Sequence, residues 1–172
     1  MEAEINIKSD NEIQLKESES ILRLKIRDEK GNYTGNELVF NLEDIELPLK
    51  YQEMFEKDKQ NRAYLKNQFA IIEKKQDHKG KKLLSSKEEE KIKTMIDFYK
   101  KEVEVYNMFL GENGVEKLLN GRKLSWSTLE EIDEIIEKYI MPRLEVNAKD
   151  IKEKIMSKYS NNNEVKRDDL IE

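Results

Sequence analysis

The side chains that could carry chemistry in this chain are few, and their spacing does not form a reactive group. The single histidine, His78, lies in a lysine-rich stretch without a second residue at metal-ligand or catalytic spacing. Cysteine is absent, which excludes thiolate nucleophiles, thiolate zinc sites and disulfides. The carboxylates of Glu88–Glu90 and Glu130–Glu131 fall in the first turns of predicted helices, where the helix dipole favours negative charge. We therefore expect these carboxylates to be structural.

Sequence patterns of phosphate binding and of hydrolysis are also missing. Gly80-Lys81-Lys82 lacks the spacer and the terminal Ser or Thr of a phosphate-binding loop. The chain contains no Gly-x-Ser-x-Gly, no His-Glu-x-x-His and no calcium-loop pattern. Because no set of residues offers a nucleophile, a base and an orienting group together, we expect a protein that is not an enzyme and that uses no cofactor and no metal.

A basic cluster over residues 74–82 is the remaining candidate for a polar ligand. Its lysines could contact phosphates. No aromatic residue alternates with them, and three glutamates follow at Glu88–Glu90. We therefore expect a solvated connector between helices rather than a nucleic-acid site, with a small nucleic-acid-binding regulator as the less favoured alternative.

Composition limits the size of the core and the location of the protein. Charged residues make up 40 % of the chain, hydrophobic residues 37 %, and the net charge is −5. An average domain has about 25 % charged residues, so we expect a thin core made of helical stripes. No apolar run reaches the roughly 18 residues that span a bilayer, and Met1–Glu4 does not resemble the start of a signal peptide. We expect a soluble, cytoplasmic protein with no membrane partner.

Alternating apolar and polar residues near the N-terminus predict a β-hairpin. Alternation is strong at 21–27 and again at 37–42, with turn residues between them at 28–36. Weaker alternation occurs at 4–8 and 12–16. Because two strands alone are marginally stable, we expect this hairpin to pack on a helix or to gain a third strand.

A long helix is predicted from about 44 to 75. Pro48 suits its first turn, where the missing N–H is harmless. Apolar residues recur at three- and four-residue steps but stop at 58–62. We interpret this break as a bend or as a stretch of helix that stands clear of the core.

The second long helix is the most clearly amphipathic segment of the chain. Ser86 and Glu89 have the spacing of a reciprocal N-terminal cap. Apolar residues then follow at helical spacing until Gly111, a plausible stop. A short helix is expected at 115–119.

A third long helix is predicted to begin with Ser127 and Glu130 as its capping pair, with Trp126 packed over the helix entry. Pro142 should kink or end that helix. A further amphipathic stretch follows Asn147.

These elements predict an α+β fold that is mainly α-helical. An N-terminal β-hairpin or small antiparallel sheet is expected to pack on a bundle of three or four helices. The predicted organisation is a β-rich segment over 1–43, a helical domain over 44–159 and a polar, flexible tail over 160–172.

Aromatic and aliphatic residues of the first two helices form the candidate partner-binding surface. Most of them must be core, because the chain has little else to bury. A thin core with long stripes nevertheless leaves room for a groove that accepts an apolar helix of a partner. The candidate residues are Tyr51, Phe55, Leu65, Phe69, Tyr99, Val103, Tyr106 and Phe109.

Two stretches of the chain show an order of elements that resembles a known family. Residues 38–44 form a predicted strand that leads to Tyr51 and a charged helix. Residues 106–122 contain aromatics, Gly111-Glu112 and a short helix between Gly114 and Gly121. Over about 37–144 this order resembles small tail assembly chaperone-like proteins encoded in phages and prophages of Gram-positive bacteria.

The resemblance implies a non-enzymatic role during phage tail assembly in the host cytoplasm. Such chaperones are thought to coat the tape-measure protein until tail-tube subunits polymerise around it, so the implied partners are the tape-measure protein, the tail-tube protein or both. A helical protein with an apolar groove and a charged exterior could cover the apolar stripes of a long helical chain. Weak binding by several copies would allow displacement, and a homo-oligomer stays open.

An alternative role is a structural component of the phage tail or baseplate, retained in the virion. In that case the N-terminal hairpin would bind neighbouring subunits by adding a strand to its free edge.

Overall fold

A computed structural model describes the backbone of residues 6–8, 12–14 and 20–165 and the side chains of residues 20–157. Within these residues the protein has small antiparallel sheets at its N-terminal end, followed by helices. The predicted α+β, mainly helical fold is confirmed. In the described part of the chain, no helix combines the length and the apolar character required to cross a membrane.

The strands form two separate antiparallel pairs. β1 (Asn6–Lys8) pairs with β2 (Glu12–Gln14), and the flanking residues of the weakly alternating stretches, 4–5 and 15–16, lie outside the described residues. β3 (Ile21–Arg27) pairs with β4 (Tyr33–Asn41), as the stronger alternation predicts.

The β3–β4 hairpin has one apolar and one polar face. Leu38 and Phe40 are buried in the core, whereas Arg23 Nη1 lies 3.0 Å from Glu37 Oε1 on the other face. The turn is shorter than expected, because Gly35 lies inside β4. Asp28 closes the turn, since its Oδ1 accepts hydrogen bonds from the backbone N–H groups two and four residues later at 2.9 and 2.8 Å.

α1 (Leu47–Glu73) begins six residues after β4 ends and includes Pro48 in its first turn. The helix is uninterrupted through 58–62, and this stretch is not clear of the core. Asp58, Asn61 and Arg62 are half-buried there. Asn61 and Arg62 bond to residues of later helices, and Asp58 accepts from Arg62. The apolar stripe stops at 58–62 because polar side chains of this stretch, rather than solvent, face the neighbouring helices.

α2 (Ser86–Leu110) runs antiparallel to α1 along most of its length. Contacts between the two helices occur near the connector, in the middle and at the opposite end. These contacts are Glu73–Lys91, Lys75–Glu90, Asn61–Glu102 and Lys57–Met108.

The N-terminal cap of α2 lies one residue before the predicted position. Ser85 Oγ accepts from the N–H of Glu88 at 3.3 Å, and Ser85 N–H donates to the Glu88 carboxylate at 2.7 Å. The predicted pair, Ser86 with Glu89, is wrong. Ser86 is used by the connector instead, because its Oγ accepts from the N–H of His78 at 3.0 Å.

A glycine-containing turn joins α2 to α3 (Gly114–Leu119), and the predicted short helix is confirmed. Gly111 ends α2 with a φ of +91°, a backbone conformation that favours glycine. A Cβ at Gly114 would lie 2.4 Å from the Cβ of Leu110, so a close approach of the two segments also requires glycine there.

α4 (Trp126–Ile135) is capped by Ser125, not by Ser127 with Glu130 as predicted. Ser125 Oγ accepts from the N–H of Thr128 at 3.3 Å, and Ser125 N–H donates to Thr128 Oγ1 at 2.8 Å. The side chain that bonds back to the backbone N–H of the capping serine belongs to a threonine instead of a glutamate. The usual Ser-x-x-Glu pattern therefore does not detect this cap.

α4 continues through a π-helical turn (Ile136–Ile140) into α5 (Met141–Val165). Pro142 therefore does not end the helix. In the widened turn the N–H of Met141 donates to the carbonyl of Ile136, five residues earlier. α5 continues through 160–165, the first half of the predicted tail, and 166–172 lie outside the described residues.

The core lies where the β-hairpin, the α1–α2 pair and the α4–α5 helix meet. Its members come from every element from β3 to α5. The most completely buried apolar side chains are Leu38, Ile72, Tyr106, Val115, Leu129, Ile132 and Ile140.

Candidate functional site

The eight candidate partner-binding residues do not share one exposed face. Leu65, Tyr106 and Phe109 are buried members of the core. Four others are half-buried and pack against it: Tyr51, Phe69, Tyr99 and Val103. Phe55 is the most accessible, with 49 % of its surface exposed. The predicted surface is therefore divided between the interior and the exterior of the molecule.

An apolar strip remains accessible along α2. Ile92 and Ile96 are 45 % and 48 % exposed, and half-buried Tyr99 and Val103 continue the strip. Steps of four, three and four residues place these side chains on one side of the helix. We call these four residues the α2 strip. Ile92 and Ile96 were absent from the candidate set, although they belong to the same amphipathic pattern.

The strip lies on the helix that also contacts Trp126, at the start of α4. The Trp126 ring stacks on Phe98 with a centroid distance of 6.2 Å and an angle of 25°. Its Nε1–H donates to Glu130 at 2.9 Å, and the Arg62 guanidinium lies 5.2 Å from the ring centroid. Trp126 therefore packs against α2, although it is the first residue of α4 and 43 % of its surface is exposed.

A polar cluster joins α1, α2 and α4 at the same level. Arg62 is its centre, since Nε lies 2.6 Å from Asp58 Oδ1 and Nη2 lies 2.9 Å from Asp133 Oδ2. Arg62 Nη2 also donates to Tyr106 Oη at 3.2 Å, and Tyr106 Oη–H donates to Asp133. One guanidinium therefore links three helices.

The charges of this cluster are shifted by their surroundings. Burial and then the hydrogen bond to Asp133 raise the pKa of the Tyr106 hydroxyl. Burial alone would lower the pKa of the Arg62 guanidinium, but its hydrogen bond and ion pair with Asp58 raise that pKa above its ordinary value. Tyr106 is therefore neutral and Arg62 charged throughout the range in which proteins fold.

Glu102 is the most unusual member of the cluster, because its side chain is 0 % exposed. Its Oε1 accepts from Asn61 Nδ2 at 2.7 Å, whereas Oε2 is buried and has no hydrogen-bond donor. Burial raises the pKa of Glu102 to about 8, and the neighbouring Asp58 carboxylate adds to this rise.

Sequence reasoning missed the polar cluster, although one signal was present. Glu102 lies four residues before Tyr106 and four after Phe98, which places a carboxylate within the apolar stripe of α2. A charged residue at such a position is almost never fully buried without a partner, so it marks a contact with another polar element.

The charged groups of the cluster are engaged mainly with one another, since the Arg62 guanidinium bonds to the carboxylates of Asp58 and Asp133. In the described residues, no group of three or more His, Cys, Asp or Glu side chains could hold a metal ion.

The basic connector between α1 and α2 is ordered by its own backbone. The N–H of Ser86 donates to the carbonyl of His78 at 2.9 Å, and Asp77 Oδ1 accepts from the N–H of Lys87 at 3.1 Å. Side chains from His78 to Leu83 are exposed. Two lysines near its ends, Lys75 and Lys87, pair with Glu90 and Glu73, which reduces the free positive charge of the region.

Comparisons with known proteins cover protein-family models, curated proteins and solved structures. No protein-family model matches the chain, and neither the curated proteins nor the solved structures include a significant match.

Proposed function

We propose that this protein is a non-catalytic phage tail assembly chaperone that binds the tape-measure protein, the tail-tube protein or both. The observation that carries the proposal is the α2 strip, an accessible apolar face on a helix whose apolar residues recur at helical spacing. The order of strand, helix, glycine turn and short helix, which resembles tail assembly chaperone-like proteins, supplies the biological context.

The strip suits a helical partner. Its side chains recur at the spacing of one helix face and are only half-covered, so a second amphipathic helix could lie along them. The apolar area is limited, which favours weak binding by each copy and release when tail-tube subunits polymerise. The abundance of charged residues, 40 % of the chain, would keep the complex in solution.

Co-expression with the tape-measure protein encoded beside this chain tests the proposal. We expect the tape-measure protein to be soluble with the wild-type protein and to become insoluble with an Ile92→Glu/Ile96→Glu variant. Ile45→Glu/Leu49→Glu is the matched control, because these apolar residues are exposed but lie at the start of α1. If the tape-measure protein is equally soluble when expressed alone, the chaperone proposal fails.

A structural component of the phage tail or baseplate is the second candidate. The observation in its favour is the β3–β4 sheet, which has no third strand among the described residues and so presents free strand edges. Mass spectrometry of purified mature particles separates the two roles. Stoichiometric amounts of the protein in the particles favour a structural component, and its absence favours a transient chaperone.

A further inference from the structure

The polar cluster around Arg62 contains more carboxylates than cations. Asp58 of α1, Glu102 of α2 and Asp133 of α4 surround the single guanidinium of Arg62. Arg62 already bonds to Asp58 and Asp133 and donates to Tyr106. Glu102 is therefore left with the neutral amide of Asn61 as its only hydrogen-bond donor.

Two protonation states of Glu102 can be compared. An ionised Glu102 would place a negative charge in a fully buried position, with one oxygen lacking a donor and the Asp58 carboxylate as its neighbour. A protonated Glu102 removes that charge. Oε1 still accepts from Asn61, and Oε2 no longer carries an unsatisfied negative charge.

We propose that Glu102 keeps its proton between α1 and α2 at neutral pH, and that loss of this proton loosens the packing of α1 against α2. A protonated Glu102 lets a polar contact with Asn61 replace an apolar contact at the break in the stripe of α1. It needs no metal, ligand or partner, and it does not depend on the proposed function.

Other charged groups do not offer Glu102 an alternative partner. On α1, Lys57 is half-buried and pairs with Glu53 at 2.8 Å. On α2, Lys101 is exposed and lies 4.9 Å from the ring of Tyr64. On α4, the Asp133 carboxyl is held by Arg62 and Tyr106. Proton uptake is therefore the remaining way to neutralise Glu102.

The consequence of deprotonation falls on the middle of the helix pair. A second negative charge beside Asp58 would either separate the two carboxylates or draw water into the interface. Either response opens α1–α2 beneath Tyr99 and Val103, which lie within three residues of Glu102. The protein should therefore be tighter at pH 6 than at pH 9 at this level of the helix pair.

Carboxyl NMR of the full chain tests the proton on Glu102 directly. With ¹³C-labelled glutamate, we expect the Glu102 carboxyl signal, assigned by its loss in Glu102→Gln, to remain in the protonated position at pH 6 and to titrate well above the ordinary value of 4.5. Titration of that carboxyl near its ordinary value would overturn the proposal.

Amide hydrogen exchange tests the mechanical consequence. From exchange rates corrected for intrinsic chemistry, the equilibrium constant for opening in the middle of α1 and α2 should increase as the pH rises from 6 towards 8, by up to about tenfold for each pH unit. Glu102→Gln keeps an acceptor for Asn61 without an ionisable group and should abolish this increase. Glu104→Gln changes an exposed neighbour and should behave like the wild type. An equal increase in all three proteins, or none in the wild type, would contradict the proposal.

Discussion

Residue-level chemistry concentrates on Arg62, which replaces apolar packing with directed bonds. The guanidinium contacts three helices at once through Asp58, Tyr106 and Asp133. A planar group with several donors can satisfy this geometry, whereas a lysine supplies one point charge. The half-buried position of Arg62 makes these bonds less screened than those of surface ion pairs.

Removal of the Arg62 side chain should therefore be costly. We expect Arg62→Ala to lower the free energy of unfolding by about 2–3 kcal/mol, somewhat less than for a fully buried pair, because 28 % of the side chain is exposed. Arg62→Lys should fall between the alanine variant and the wild type. Urea unfolding at pH 7 measures both. A change below about 0.5 kcal/mol for alanine would show that the cluster contributes little.

This cluster also shows where sequence reasoning loses access to the site. The hydrogen bonds from Asn61 to Glu102 and from Arg62 to Asp133 span 41 and 71 residues. Contacts between residues so far apart in sequence leave no pattern in the local spacing. Residues 58–62 therefore appear in the sequence only as a break in the apolar stripe of α1. Helical periodicity marks Tyr106 and Phe109 as parts of an apolar face, but it does not show that this face is buried in the core rather than offered to a partner.

At the scale of elements, the serine that caps a helix is the one whose hydroxyl is not already bonded to a group outside that helix. Both predicted caps were misplaced by one or two residues, while both helices were predicted correctly. Adjacent serines, as at 85–86, or alternating ones, as at 125 and 127, offer the same local pattern. The choice is made by contacts outside the helix, such as the bond from the N–H of His78 to Ser86.

The cap of α4 can be tested with a matched pair of substitutions. Ser125→Ala should lower the free energy of unfolding by about 1 kcal/mol, because the N–H of Thr128 loses its acceptor. Ser127→Ala changes an exposed serine inside the helix and should have an effect below about 0.5 kcal/mol. Thermal unfolding of the two variants side by side decides between the caps, and the reverse order would support the prediction made from sequence.

The junction of α2 with α3 makes a second test at this scale. Gly114→Ala should lower the free energy of unfolding by about 1–3 kcal/mol, because the new Cβ would lie 2.4 Å from that of Leu110 and the two segments must separate. Glu112→Ala, at an exposed position of the same turn, is the control. Unfolding in urea gives the free energy of unfolding of both variants. An unchanged value for Gly114→Ala would show that the two segments separate without cost.

The π-helical turn explains why the helix does not end at Pro142. Proline removes one N–H and crowds the preceding turn. Here the preceding turn is widened, and the N–H of Met141 reaches the carbonyl of Ile136. Ile136 and Ile140 stay buried on either end of that turn, so core packing maintains a continuous helix that local propensity disfavours.

At the scale of the whole molecule, one buried acid should shape the dependence of stability on pH. The folded protein binds the Glu102 proton up to about pH 8, whereas the unfolded chain releases it near the ordinary value of 4.5. Between these values the folded state holds more protons. Stability therefore falls as the pH rises.

Urea unfolding at several pH values should detect this slope. We expect the free energy of unfolding to be highest near pH 5 and to decrease towards pH 8, with a limiting slope of about 1.4 kcal/mol per pH unit from this group. Glu102→Gln should flatten the profile. Stability that rises from pH 5 to pH 8 in the wild type would contradict the argument.

At lower pH, surface aspartates change the stability in the opposite direction, so that stability rises with pH. Hydrogen bonds from the backbone of Asn32 lower the pKa of Asp28, and the backbone N–H of Lys87 does the same for Asp77. Their contribution is present above the unfolded value and is lost as the pH falls further. The two effects together place the maximum of stability on the acidic side of neutrality.

Much of the architecture follows from local rules, which is why the hairpin, the long helices and the short glycine-flanked helix could be predicted. Strand alternation and helical stripes are set by which face of each element is apolar. The accessible part of the α2 strip was harder to predict, because its exposure depends on how far α4 extends across α2. Periodicity marks an apolar face but does not reveal what covers it.

The connector at the far end of the α1–α2 pair has a practical consequence for engineering. A backbone hydrogen bond from the N–H of Ser86 to the carbonyl of His78 joins the two ends of the connector. Residues inserted between these ends should therefore not strain α1 or α2. Leu83 in the connector is 90 % exposed. A fluorescent or affinity module inserted between Lys81 and Lys82 should therefore leave folding intact and provide a handle remote from the sheet.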